Sequence, residues 1–166
     1  MSEKKLVIDQ LRLNYNGLMN FGELFKVVDG WFYEKGFDKF EKKHEEIVLP
    51  SGKDIEIELR PWKKITDYAK HIIRIRMYVR GLKNVEIEKD GIKTTLQQGS
   101  IRMKFDAYLE TDYENKWEQN MYFYFLRAVF DKYVYRTYDA RIEEHLVEDT
   151  YHLHSTIKSY LNLHRY

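Results

Sequence analysis

Apolar and polar residues alternate with a period of two through much of the middle of this chain. Ile55, Ile57 and Leu59 fall on one side of an extended segment, with Glu56, Glu58 and Arg60 on the other, the pattern of a half-buried strand. Residues 70–80 repeat it, with Ile73, Ile75, Met77 and Val79 on one face and Arg74, Arg76, Tyr78 and Arg80 on the other. Val7 to Tyr15 predicts a first strand that ends at Asn16 and Gly17. Val85 and Ile87 lead into Asp90-Gly91, the strongest hairpin signal in the chain. Ile92, Thr94 and Leu96 return, Gln98-Gly99 predicts another turn, and Ile101, Met103, Phe105, Ala107 and Leu109 form a last inward face. Pro50-Ser51-Gly52-Lys53 predicts a turn, and Pro61, lacking an N–H, ends its strand or sets it at an edge. Residues 38–48 alternate Lys and Glu over few apolar positions and assign themselves to no element.

The period changes to that of a helix in two places. After Asn20, a predicted N-cap with Glu23 at the capping-box position, Phe21, Leu24, Phe25, Val28, Trp31 and Phe32 form a stripe that Gly36 stops and Gly30 interrupts. Near the C-terminus, Trp117, Met121, Phe125, Val129 and Tyr133 recur every four residues. This predicts an aromatic helix over about 117–135 whose apolar face must be buried. A second helix is predicted over about 139–163, with Ile142, Leu146, Leu153, Ile157, Tyr160 and Leu161 as its stripe. No linker or repeat divides the sequence, so residues 1–166 read as a single α+β domain. The expected architecture is an antiparallel β-meander wrapped around a C-terminal helix, with one helix after the first strand and two at the end.

Composition narrows the function classes. Lys and Arg number 28 against 27 Asp and Glu, a net charge of +1, so any nucleic-acid role needs a local basic patch rather than a global field. The absence of cysteine removes disulfides, thiolate catalysis and Cys-ligated zinc. The N-terminus has neither a leader-like pattern nor a run of apolar residues, and no stretch is apolar enough to span a bilayer, so a cytoplasmic location is expected. Aromatics are abundant, with 14 Tyr, 9 Phe and 3 Trp. They give a small domain large buried areas per residue.

The order β, α, β-meander, C-terminal helix resembles the START/Bet v1-like helix-grip superfamily. The likeness covers most of the chain and is one of element order, with no shared residue motif. It departs from that family in having one long helix after the first strand rather than two short ones, and two helices at the end. It implies a non-catalytic binding module that holds an apolar small molecule between sheet and helix. Met103, Phe105, Tyr122, Phe125 and Val129 would then line the cavity. Side chains of the same kind also fill interiors outright. The stretch from Tyr108 through Glu114, with the Leu-Asn-Leu-His-Arg-Tyr ending, also looks like small archaeal proteins, a likeness that carries no activity.

The alternative is a partner on the sheet's polar face. Arg74, Arg76, Arg80, Arg102 and Lys104 could neutralise RNA phosphates, in a free strand or on the ribosome, with Tyr78 and Tyr108 able to stack bases. The same cations could instead pair across strands with Glu56, Glu58, Glu86, Glu88 and Asp106. A third reading is a homo-oligomer or scaffold that buries the tyrosine-rich C-terminal helix. His145, Asp149 and His152 share a helix side at metal-ligand spacing, yet the pattern lacks a His-Glu-x-x-His and faces water, so no metal is expected. Glu110, Asp112 and Glu114 read as a soluble connection, and Tyr122, Tyr124 and Tyr138 as hydroxyls needing partners. No phosphate loop, nucleophile elbow or dinucleotide fingerprint is present, so neither a cofactor nor catalysis is expected.

Overall fold

The computed structural model describes residues 2–39, 41–111, 125–126, 128–129 and 136–163. Six strands form one open antiparallel sheet: β1 (Glu3–Met19), β2 (Glu41–Leu49), β3 (Gly52–Leu59), β4 (Trp62–Lys64), β5 (Ala69–Lys89) and β6 (Ile92–Thr111). Helix α1 (Phe21–Lys35) follows β1, and helix α2 (Arg136–Asn162) is C-terminal. The strand order is β1-β6-β5-β3-β2, with β4 pairing the start of β5. Hairpins join β2 to β3, β4 to β5 and β5 to β6, β3 and β4 both pair with β5, and β1 lies beside the last strand.

The α+β expectation therefore holds, with longer strands than the alternation predicts. β1 runs to Met19, through Asn16 and Gly17. The Lys/Glu-rich stretch is itself a strand, β2. Gln98-Gly99 makes no turn, because β6 continues through it. Pairing to β1 and β5 on both sides supplies the ladder that local sequence cannot signal.

Glycine explains that continuity. Gly17 of β1 sits opposite Gly99 of β6, and Gly99 lies beside the register slip in β5 between Arg80 and Lys83 that contains Gly81. Gly52, opening β3, meets Gly81 on the far side: a Cβ at position 52 would stand 2.8 Å from the Gly81 carbonyl carbon. Four glycines thus cross four neighbouring strands in one row. Gly99 marks close backbone approach, not a turn: its added Cβ would stand 3.1 Å from the Arg80 carbonyl oxygen.

One sheet face is apolar and covered by the helices. Ile57, Ile73, Ile75, Met77, Met103 and Phe105 join Leu146, Leu153 and Ile157 of α2 in a single core, together with Leu24, Val28 and Phe32 of α1. Helix α1 forms as its caps predict: Asn20 Oδ1 accepts from the Glu23 N–H at 3.1 Å, and Gly36 takes the left-handed conformation at φ 74°. Gly30 sits mid-helix on an exposed face with nothing close to it.

His71 ties α2 to the sheet. Its ring is 2% exposed, and Nε2–H donates to the Ile142 carbonyl at 2.9 Å, while Nδ1 is buried without a hydrogen-bond partner. Burial pulls the imidazole from 6.5 down to about 4, outweighing the opposing backbone hydrogen bond and the charge of Asp149. Because the folded value lies below the unfolded one, the unfolded chain takes up a proton first. Stability is then full above about pH 6.5 and is lost as pH falls towards 4. Denaturant titrations at pH 7 and pH 5 should differ by about 2 kcal/mol from this residue. The His71→Gln variant should shrink that difference by the same amount; an unchanged difference would assign the acid sensitivity elsewhere.

Candidate functional site

The sheet's other face carries the site. Strand alternation sends Arg12, Asn14 and Asn16 of β1, Ser100, Arg102, Lys104 and Asp106 of β6, and Arg74, Arg76, Tyr78 and Arg80 of β5 to the side away from α2. Register then arranges them in rows. Asn14, Arg102, Tyr78 and Glu56 make one, and Arg12, Lys104, Arg76 and Glu58 the next. Asn16, Ser100 and Arg80 stand to one side of these rows, and Asp106 and Arg74 to the other.

Electrostatics divide this face into a satisfied half and an unsatisfied half. Asp106 is 1% exposed. It accepts from Arg74 Nε at 2.9 Å and Arg76 Nη2 at 2.8 Å, and its other oxygen takes the Gln10 N–H at 2.8 Å. Asp9 and Gln10 together stand against Asp106 alone, since Ile8 pairs with Ala107 and Leu11 with Phe105. This is a bulge, with Gln10 at φ 48°, and the Asp106 carboxylate holds its amide. Arg80 is paired by Glu56 and Asp54, and Glu58 by Arg60.

Arg102 and Lys104 differ. Neither makes an ion pair among the described residues. Arg102 has Asn14 and Tyr78 as its cross-strand neighbours, and Lys104 has Arg12 and Arg76. Three cations therefore lie in one row, an arrangement that costs stability in an isolated sheet. Arg102 and Lys104 border a cleft of about 710 Å³ that Asn14, Asn16, Tyr78, Arg80 and Ser100 help to line. A smaller cleft of about 220 Å³ opens where β1 meets α2, lined by Arg12, Asn14, His154 and Lys158 among others, and adds further basic groups at the β1 edge.

The five predicted basic residues thus share one face, of which Arg74, Arg76 and Arg80 are paired as the self-neutralising alternative requires. Glu56 and Asp106 do most of that pairing. Glu86 and Glu88 lie instead on the outer arm of the β5–β6 hairpin. Tyr108 shares the face but pairs with Ile72 and Leu6, away from the cleft. Asn14, Asn16 and Ser100 were not singled out from sequence; their one signal is their parity with Arg102 and Lys104 on paired strands.

Four of the five residues expected to line an apolar cavity lie among the described residues. Met103 and Phe105 are fully buried, and the Phe105 ring meets His154 edge-on at 5.6 Å. The helix covering them is α2. Phe125 and Val129, though helical, are 73% and 46% exposed. Tyr122 and Tyr124 lie outside the described residues, as do Asp112, Glu114 and Trp117. The core stripe of α2 lies over the sheet.

The remaining candidates have separate partners. His152 Nδ1 accepts from Trp31 Nε1–H at 2.8 Å, Asp149 pairs with Lys35 at 3.2 Å, and His145 lies 3.6 Å from Glu148. Among the described residues no group of three His, Asp or Glu could hold a metal. Glu110 is buried between Lys4 and Lys70, and Tyr138 is exposed. No helix among the described residues is long and apolar enough to cross a membrane. No protein-family model matches the chain, and neither a curated protein nor a solved structure does.

Proposed function

We propose that this protein is a non-catalytic binding module that takes single-stranded RNA on the polar face of its sheet. One observation carries the reading: Arg102 and Lys104 stand side by side on β6, bordering a cleft, with no acid to neutralise them among the described residues. Residues two apart on a strand are about 7 Å apart, so the two cations can hold separate phosphates of one strand. Phosphate contact gives affinity without sequence preference. Tyr78 stands in the next strand, beside Arg102, where its ring offers a surface on which a base can stack. Asn14, Asn16 and Ser100 supply donors and acceptors for base edges or the 2′-hydroxyl.

Fluorescence anisotropy with a labelled oligouridine tests this. Affinity should fall steeply with salt, and the pair Arg102→Gln and Lys104→Gln should weaken it at least tenfold. Removing two phosphate contacts should flatten the plot of log affinity against log salt by about 1.4. Tyr78→Ala should weaken binding with the salt slope unchanged. Equal affinity for the wild type and the double variant would remove the reading.

A further inference from the structure

Strand β1 is an edge of the sheet and pairs only with β6 among the described residues. Alternate residues of an edge strand turn their N–H and C=O groups away from the ladder. Arg12 is one of these, because its carbonyl accepts from His154 Nε2 of α2 at 3.0 Å. Residues two apart share that direction, so the Asn14 N–H points outward as well. Both residues line the smaller cleft, of about 220 Å³, with His154 and Lys158 on its α2 wall. Leu13, Tyr15 and Leu161 are buried and close its floor.

The charge on these walls has one sign. No acid occurs in β1 from Gln10 to Met19, and none in α2 from Thr150 to Asn162, since every acid of that helix comes earlier. His154 and Lys158 are four apart and share a helix face. Neither Arg12 nor Lys158 makes an ion pair among the described residues. The last carbonyls of α2 oppose an anion at the Leu161 end with about half a unit of negative charge, which two full positive charges outweigh.

We infer that this cleft is a phosphomonoester site, filled by the phosphorylated end of a strand lying on the polar face. A closed floor lets a strand arriving over the β1 edge end in the cleft but not run through it. A phosphomonoester carries a charge of about −1.5 to −2 at pH 7, whereas an internal phosphodiester carries one, so two cations match an end. The cleft is smaller than the roughly 300–1,000 Å³ that whole ligands occupy, so the phosphate enters and the base stays outside. Arg12 and Lys158 hold its oxygens through charge-assisted hydrogen bonds, and the Asn14 N–H donates another. His154 is a positioning residue, whose bond to the Arg12 carbonyl ties α2 to the strand edge.

The two clefts are continuous, since Asn14 and Tyr15 line both. Asn14 pairs with Arg102, and Arg12 with Lys104, so one strand spacing of about 4.8 Å separates the two sets of cations. The source of the phosphate rests on the RNA reading; the chemistry of the cleft does not.

Oligouridines with a phosphate at the 5′ end, at the 3′ end or at neither test this by anisotropy. One phosphorylated end should bind about tenfold tighter than the hydroxyl-ended strand. Lys158→Gln, an exposed change on α2, should abolish that preference and leave affinity for the hydroxyl-ended strand unchanged. Amide NMR spectra of the whole chain, titrated with inorganic phosphate, need no RNA: the Asn14 N–H should shift and saturate. Saturable shifts without affinity for any oligouridine would support the site, with a free phosphomonoester as its source, and count against the RNA reading alone. Oligouridines that bind equally whatever their ends, a preference that survives Lys158→Gln, or an Asn14 amide that phosphate leaves unmoved would each overturn the inference.

Discussion

Replacing Asp106 with alanine should cost about 3 kcal/mol of stability, near the lower end of what breaking one partner of a buried ion pair costs. The carboxylate is almost fully enclosed, and it serves three donors on two different strands. Its removal strands two guanidinium groups beside Lys104 and leaves the amide of a bulge residue without its acceptor. Both arginines keep about a fifth of their side-chain surface in water, and that residual solvation limits the loss. For a chain of this length the midpoint of thermal unfolding should drop by about 10 °C. Asp106→Asn keeps an acceptor for the Gln10 N–H and loses only the charge, so it should fall between. A loss under about 1 kcal/mol for the alanine variant would mean the face does not need its central acid. RNA affinity should hold or rise in the folded fraction, since Arg74 and Arg76 are released; that separates a structural acid from a binding one.

The same residue shows what local sequence conveys and what it does not. Alternation over 55–59 and 70–80 places Glu56, Arg74 and Arg76 on one face directly, because strand parity is a local property. The caps of α1 are equally local, which is why Asn20 and Gly36 read correctly. The Asp90-Gly91 turn is built as expected, with both residues at positive φ. Which acid neutralises which arginine depends instead on register between strands far apart in sequence, and on a bulge at Gln10 that no composition cue announces. β2 was hidden for a related reason: on an edge strand the core does not impose the apolar alternation that marks a strand. The cleft follows register too. Arg102 and Lys104 looked no different from Arg74 and Arg76 in sequence, and only the position of Asp106 leaves the first two without an acid. The share of α2 in the core was less legible, because aromatic content draws attention from the balance of its stripe. Leu146, Leu153 and Ile157 make a narrower apolar face than the aromatic segment, and it is theirs that the sheet covers.

The glycine row gives the second large effect. Gly52→Ala should destabilise the fold by about 4 kcal/mol, combining a backbone conformation reserved for glycine with overpacking. Gly52 sits at φ 131°, and its added Cβ would meet the carbonyl carbon, oxygen and Cα of Gly81 at 2.8–3.1 Å. All three are backbone atoms of a paired strand, so no side chain can swing aside. Gly91→Ala is the matched control. It also has positive φ, at 76°, but nothing lies within 4 Å of the new Cβ, so it should cost only about 1 kcal/mol. If the two substitutions prove equally mild in denaturant titrations, the close approach of β3 to β5 does not set the cost. The difference matters beyond stability, because Arg80 and Ser100 flank this crossing and border the cleft. A Gly52→Ala chain that still folds should therefore bind RNA less tightly than a Gly91→Ala chain. In that event the strand crossing, rather than any single cation, sets the spacing of the site.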